Sequence, residues 1–306
     1  MKILLLGAEG QLGGYLQRSL ADIGTVRASS RRALDESLRI DLKDTGGLLS
    51  LLARESPDLV VNAAAYTAVD QAESDSAEAM LTNAALPAVI ASVITSWNGA
   101  LIHFSTDYVF DGMGTRPYVE HDPTGPLGVY GKSKLSGEIA LSRMSADHLV
   151  LRTAWVYSLR GRNFLTTMLR LGAERHSLTV VDDQHGTPTS AGFLAKATAR
   201  IAQKWMTERQ SRREASGIYH LTASGETTWH GFAQAIFEEA VQAGRLNAAP
   251  LLLPTDTAGF PTPAKRPAWS VLDTTRVQTV FGITPPDWRS ELRTVMSGAY
   301  DAGSST

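Results

Sequence analysis

The 306-residue sequence predicts an α/β fold, a doubly wound parallel sheet carrying a smaller mixed α/β lobe, and three observations carry the prediction. Short apolar runs recur at residues 3–6, 59–62, 100–104 and 149–153, too short for helices and lacking the strict alternation of a half-solvated sheet. Between them lie longer segments with apolar residues at helical spacing, such as Leu12, Leu16 and Leu20. The first run ends in Gly7-Ala8-Glu9-Gly10-Gln11-Leu12-Gly13, a glycine-rich turn that opens a helix. Alternation of this kind builds a parallel sheet with helices on both faces, here through about Thr153.

Composition narrows the function classes. Twenty-nine basic residues against 31 acidic ones give a formal net charge of −2, so no positive balance calls for nucleic acid or an anionic membrane. The chain has no cysteine, which excludes disulfides, thiolate zinc sites and cysteine nucleophiles and makes a reducing cytoplasm the simplest compartment. No stretch approaches the roughly 20 apolar residues of a membrane span. Residues 3–6 read as a buried strand rather than a signal peptide, because Glu9 follows so soon. None of the seven histidines sits in an H-E-x-x-H spacing and no G-x-S-x-G elbow occurs, so neither a metal site nor a serine hydrolase has sequence support.

Taken in order, the elements place a ligand at the strand ends. The spacing Gly7-x-x-Gly10-x-x-Gly13 suits a backbone that approaches a pyrophosphate closely, with a helix N-terminus turned toward the negative charge. A second strand near residues 25–28 ends at Ser29-Ser30-Arg31-Arg32, where a dinucleotide-binding fold touches the adenosine ribose. An acid there would take the 2′-hydroxyl of NAD. Two guanidiniums and two hydroxyls suit a 2′-phosphate instead and favour NADP, the competing reading being a solvated basic turn. Asp41 and Leu42 either flank the adenine or belong to a turn. The third strand runs into Ala63-Ala64-Ala65-Tyr66-Thr67, small residues that let a cofactor lie against the backbone or simply pack tightly.

Residues 75–97 read as one helix with a disturbance at Pro87, its Asn83 reaching toward the sheet. Beyond the fourth strand, Ser105-Thr106-Asp107-Tyr108-Val109-Phe110-Asp111-Gly112 lies where ligands of open parallel sheets bind, and Ser105 or Thr106 can donate to a carbonyl oxygen becoming an alkoxide. Past the fifth strand, Trp155 and Tyr157 either pack a substrate ring or belong to the core. Helices at 163–174, 191–206 and 230–243 and strands at 178–181 and 217–221 follow. Residues 254–267, with four prolines, read as a loop forming a lip over a pocket. The charged run 209–214 reads as a surface connection, and the tail from 302 as frayed. Residues 1–153 are expected to bind the nucleotide and residues 154–306 to form mainly the substrate-binding lobe. Segments around 178–206 are expected to return to the first sheet, so the boundary interleaves.

The chemical signal is Tyr130-Gly131-Lys132-Ser133-Lys134. On a helix from 130 to about 144, Tyr130 and Lys134 project from one face, one turn apart. An ammonium beside a phenol favours the phenolate. Lowering a phenol from about 10 by about three units takes roughly 4 kcal/mol, more than a solvated lysine supplies, so an oxidised nicotinamide is the obvious second cation. Alone, the pair could also be a chance meeting on a solvated helix face.

Together, the glycine turn, the stretch 105–112 and Tyr130-x-x-x-Lys134 resemble the extended short-chain dehydrogenase/reductase superfamily, whose nucleotide domain is of the Rossmann type. Within it the chain resembles the dTDP-4-dehydrorhamnose reductase family over nearly its whole length. That closer likeness rests on Val61-Asn62-Ala63-Ala64-Ala65-Tyr66-Thr67-Ala68-Val69-Asp70, Arg152-Thr153-Ala154-Trp155-Val156-Tyr157, Asp183-Gln184-His185-Gly186-Thr187-Pro188-Thr189 and Arg266-Pro267. The resemblance implies NADPH, with NADH possible, as hydride donor and a 4-keto-6-deoxyhexose carried on dTDP as acceptor. Carried over by position, Tyr130 is the proton donor to the C4 oxygen, Lys134 binds the nicotinamide ribose and tunes Tyr130, and Thr106 touches the substrate. Asp107 and Tyr108 lie beside Thr106, and Trp155 matches a sugar-nucleotide contact. Gly10, Gln11, Leu12, Ser30, Asp41, Leu42, Ala65, Tyr66 and Thr67 fall on cofactor-contact positions.

Some members of the family form a homodimer bridged by Mg2+ through acidic residues. Tyr15 and Gly192 stand at those positions and supply no carboxylate, so a monomer or weak homodimer without that metal is expected. Two other readings share part of the pattern. A nucleotide-sugar epimerase or dehydratase would keep the turn and the Tyr/Lys pair but retain NAD, and a non-catalytic NADP-binding regulatory subunit would tolerate loss of the proton donor.

Overall fold

A computed structural model of the chain describes residues 1–209 and 215–301. Most of the charged run at 209–214 and the whole tail from 302 therefore lie outside the described residues. The first half comprises β1 (Lys2–Leu6), α1 (Gly13–Ala21), β2 (Thr25–Ser29), α2 (Thr45–Glu55), β3 (Leu59–Asn62), α3 (Val69–Ala72), α4 (Ser76–Met80), α5 (Leu86–Ile94), β4 (Ala100–Thr106), α6 (Val129–Ser142) and β5 (Asp147–Thr153). The second comprises β6 (Val156–Tyr157), α7 (Phe164–Glu174), β7 (Ser177–Val181), β8 (His185–Gly186), β9 (Thr189–Ser190), α8 (Ala191–Glu208), β10 (Gly217–His220), β11 (Thr227–Thr228), α9 (Trp229–Gln242), β12 (Leu251–Thr255), α10 (Thr275–Phe281) and α11 (Trp288–Met296).

Six strands form one sheet in the order β10-β5-β4-β3-β1-β2, every neighbouring pair parallel. Ile3 and Leu5 point into a layer with Leu16, Leu20, Leu194 and Ile201, whereas Leu4 and Leu6 point into the opposite one with Leu48, Leu52, Ile90 and Leu141. Both faces are covered, which is why the strands read as unbroken apolar runs. Strand order reverses between β1 and β3, so the crevice beyond their carboxyl ends opens between Gly7 and Ala63.

The chain crosses between its halves more than once. β10, the sixth strand, comes from beyond Thr153, and α8 packs against α1 in the same apolar layer. The strand at 177–181 does not return to this sheet as expected. β7 pairs in parallel with β12, which occupies the start of the proline-rich stretch read as a loop. Leu251, Leu252 and Leu253 give that stretch its strand character, and Pro254 is tolerated because each strand of a pair has a free edge. The lobe's own core joins Leu165, Phe232, Phe237, Trp288 and Leu292.

The helix expected at 75–97 is divided into α4, a π-helical turn at Leu81–Ala85, and α5. Pro87 has no N–H for the carbonyl of Asn83, four residues back, so the α-helical ladder cannot run through. That carbonyl instead faces α6, where a Cβ on Gly137 would lie 2.2 Å from it. Contrary to the expectation of no such stretch, Ser76–Trp97 is long and apolar enough to cross a membrane by length and composition. Its Leu86, Ile90, Ala91 and Ile94 are buried in the sheet's core.

Candidate active site

A cleft of about 920 Å3 runs along the carboxyl ends of the central strands. At one end the turn after β1 is held by Gly7, whose φ of +79° favours glycine and whose Cβ would sit 2.7 Å from the amide nitrogen of Ala64. Gly10 N–H closes the turn on Gly7 O at 3.0 Å. The amides of Gln11 and Leu12 find no partner among the described residues, and they lie at the positive end of α1. Gly7, Gly10, Gln11 and Leu12 all line the cleft. Gly13 is not among the residues lining the cleft; a Cβ there would be 2.1 Å from Gly7 O, so its glycine is required by the packing of helix on turn.

Ser30, Arg31, Asp41 and Leu42 line the outer end. Arg31 is exposed and has no carboxylate partner among the described residues. Ala63, Ala64, Ala65, Tyr66 and Thr67 form the facing wall. This wall is fixed from behind. Asn83 accepts from Tyr66 N–H at 2.9 Å, donates to Tyr66 O at 3.1 Å and to Ser133 Oγ at 2.9 Å, so the inward-reaching amide ties the wall to α6.

α6 delivers Tyr130 and Lys134 into the middle of the cleft. The Thr106 hydroxyl, at the end of β4, donates to Asp107 Oδ1 at 2.9 Å and is a hydrogen-bond neighbour of the Tyr130 phenol. Burial pushes Tyr130 up to about 12, against the Thr106 hydroxyl and with help from Asp107. Lys134 is 2% exposed and donates to Phe104 O at 2.6 Å; burial brings it down to about 8, with Glu138 opposing. In the protein alone the Lys134 charge is turned into the sheet and burial dominates both groups. Burial likewise raises the Asp107 carboxyl to about 6, with the Ser270 and Thr106 hydroxyls opposing.

Trp155 stands at the far end with φ of +47°, a strained backbone for a bulky residue. Its indole stacks on Trp229 at 3.5 Å between centroids and 5° between planes, and Phe164 packs on Trp229 at 4.6 Å. Arg266 enters from the loop after β12 and bonds Asp70 at 2.8 Å. Tyr108 meets Tyr130 edge to face at 6.1 Å, and burial pushes its phenol far up. Four shielded polar atoms on cleft-lining residues, Gln11 Nε2, Ser105 Oγ, Asp107 Oδ2 and Thr153 Oγ1, have no hydrogen-bond partner among the described residues. Unpaired amides, orphaned side-chain donors and a bare cation at the ribose end together fit a phosphorylated dinucleotide.

Residues 1–300 match the family model for the RmlD substrate binding domain. A dTDP-4-dehydrorhamnose reductase of Burkholderia thailandensis is 46% identical, covering 94% of this chain and 96% of its own, and one of Shigella flexneri is 43% identical over 98% of each. The chain belongs to the dTDP-4-dehydrorhamnose reductase family. Among solved members, the Clostridium acetobutylicum reductase superposes with a TM-score of 0.85 at 34% identity, covering 97% of this chain and 99% of that one. The Bacillus anthracis reductase, solved in complex with NADP, also has a TM-score of 0.85, at 29% identity, with 97% and 98% covered.

For a member of this reductase family, sequence reasoning missed Phe164, Trp229 and the position of Arg266 in the cleft wall. Arg266-Pro267 and the stretch ending in Asp70 both belong to the family-like stretches of the sequence. Opposite charges on two such stretches were the available signal for their ion pair. Tyr15 and Gly192 are packed away: the Tyr15 hydroxyl donates to Asp301 at 3.0 Å, and Gly192 lies under the Tyr300 ring.

Proposed function

We propose that this chain catalyses the NADPH-dependent reduction of the C4 ketone of dTDP-4-dehydro-6-deoxy-L-mannose (dTDP-4-dehydrorhamnose) to dTDP-L-rhamnose, the final step of dTDP-rhamnose synthesis, with NADH an alternative donor. The observation that carries the proposal is the convergence of Thr106, Tyr130 and Lys134 in a dinucleotide-shaped cleft of a chain from this family. NADPH supplies the hydride.

The chain's own residues handle the proton and the geometry. Tyr130, kept protonated by burial, holds the proton that the C4 oxygen takes up as it becomes an alkoxide. Thr106 shares that oxygen by turning its one hydroxyl proton away from Asp107 Oδ1, to which it donates in the free chain. Lys134 bonds the nicotinamide ribose and its charge offsets the phenolate that Tyr130 becomes. Arg31 and Ser30 take the 2′-phosphate, and the stacked Trp155 and Trp229 hold the nucleotide-sugar end. In this reading residues 1–153, completed by α8 and β10, bind the dinucleotide, and the remainder binds the sugar nucleotide. A monomer or weak homodimer without a bridging Mg2+ accords with Tyr15 and Gly192, which offer no carboxylate, lying against the C-terminal segment, and the cytoplasm is the compartment proposed for this biosynthetic step.

The test is an assay of dTDP-4-dehydrorhamnose with NADPH and NADH side by side. A reductase consumes the donor stoichiometrically, whereas an epimerase shows no net consumption. Tyr130→Phe is expected to lower kcat by about 10²- to 10⁴-fold with NADPH binding intact, an outcome a regulatory subunit cannot give.

A further inference from the structure

Beneath Lys134 lies a buried polar chain that the reaction as described does not use. His103, on β4, is 0% exposed; its Nε2 is 3.5 Å from Lys134 Nζ and its Nδ1 is 3.2 Å from Asn62 Nδ2. Asn62 is 1% exposed and its Oδ1 accepts the N–H of Ala64 at 3.2 Å. A buried imidazole between an amine and an amide is commonly a satisfied core histidine. Here the donors do not add up in a single arrangement.

Burial holds the His103 imidazolium well below its ordinary range, with the Lys134 and His148 charges pushing the same way, so the ring carries one proton. If Asn62 donates to Nδ1, that proton sits on Nε2 and points at Lys134, which can accept it only as a neutral amine. If Lys134 is an ammonium, Nε2 must accept, the proton moves to Nδ1, and Asn62 must turn its oxygen there, giving up the Ala64 amide. Lys134 is faced by His103 and the Phe104 carbonyl from β4 and by Glu138 from its own helix, with Tyr130 one turn away. His103 is faced by Asn62 from β3 and by His148.

We propose, on the assignment of Lys134 to the catalytic pair, that His103 is a positioning residue acting as a tautomeric relay between Lys134 and Asn62. Between the two states the Nε2–H bond is lost, Nζ–H and Nδ1–H bonds form, and one proton is taken up net from solvent through the cleft side of Lys134, the ring being neutral in both. The Asn62 amide then turns and the Ala64 N–H is released toward the cleft. The charge of the lysine is thereby linked to the wall against which the cofactor lies, and His103 itself never becomes charged.

Imidazole nitrogen NMR shifts of the isotopically labelled full chain, with the His103 signals assigned by comparison with His103→Gln, test this directly. The expected result is the Nδ1–H tautomer at neutral pH, giving way to Nε2–H through the window in which Lys134 loses its charge. One tautomer across that window overturns the relay. Turnover gives a second readout. Asn62→Asp offers two acceptor oxygens, holds both the Ala64 N–H and Nδ1–H, and should move the alkaline limb of kcat up by about one unit. In the His103→Gln background the same change should leave the limb where it is. An equal shift in both backgrounds means that the new charge acts through space, and the relay is refuted. The NMR measurement needs neither substrate nor turnover, so a chain inactive on the sugar nucleotide would leave this result standing, and a fixed tautomer in an active enzyme would remove the relay alone.

Discussion

The two ends of the cleft are built by different means. The end proposed to take the dinucleotide is made of backbone and small residues, Gly7, Gly10, Ala63 and Ala64, on the turns that leave two strands of the central sheet. The other end, proposed above to take the sugar nucleotide, is made of large side chains, Trp155, Phe164, Trp229 and Arg266, carried on segments far apart in the chain. A backbone cradle serves one invariant group and tolerates little change in shape. A side-chain wall can be altered piece by piece, so specificity for the acceptor belongs there. Perturbing each end separately tests whether the two are independent.

The largest effect is expected at the backbone end. In Gly13→Ala the added methyl would lie 2.1 Å from Gly7 O, and helix and turn must separate. Overpacking of this kind costs about 1–3 kcal/mol, read by denaturant unfolding, and NADPH affinity should fall at least about tenfold because the free amides shift. Unchanged NADPH affinity would break the comparison, since the turn would then be indifferent to its own packing. Arg31→Ala sharpens it with a smaller change. Loss of one exposed charge-assisted contact is worth about 1.5 kcal/mol, so NADPH binding should weaken about tenfold while NADH binding stays level.

This asymmetry also decides what the sequence discloses. Gly7, Gly10 and Ala63 to Thr67 follow apolar runs directly, so the strand ends and the ligand they face are legible from spacing alone. Tyr130 and Lys134 share one helical turn and are equally legible. The charge relation between them is not, because the direction of Lys134 toward Phe104 O depends on burial that no local pattern encodes. Trp229 opens α9 behind the cap of Thr228, and nothing near it in sequence says that its ring meets Trp155. The strained φ of Trp155 is a tertiary product, held by packing on both sides of the indole. The pairing of β7 with β12 was hidden for the same reason: Pro254 argues against a strand until the partner's free edge is known.

At the side-chain end, Trp229→Ala removes one face of the stack. An aromatic pair contributes about 0.5–1.5 kcal/mol beyond its area, so KM for the sugar nucleotide should rise roughly three- to tenfold, with NADPH affinity unmoved. A parallel loss of NADPH affinity would show that the two ends are mechanically coupled.

An effect that is slight at pH 7 and grows only above it is the titration of Lys134, in the middle of the cleft. Its folded value of about 8 lies below its ordinary 10.5, so above about pH 8 the folded chain has shed a proton that the unfolded chain keeps up to about 10.5. Stability from this group therefore rises as pH goes through that interval. Activity runs the other way, since the charge that offsets the Tyr130 phenolate is lost. From pH 7 to 9, kcat is expected to fall about tenfold as Lys134 loses its proton, while burial keeps the Tyr130 phenol protonated in the chain alone. Comparing the melting temperatures of the parent chain and Lys134→Met over the same range separates the two consequences. The parent should gain on the variant as pH rises, and a constant difference would mean that Lys134 keeps its proton and that the fall in kcat comes from another group.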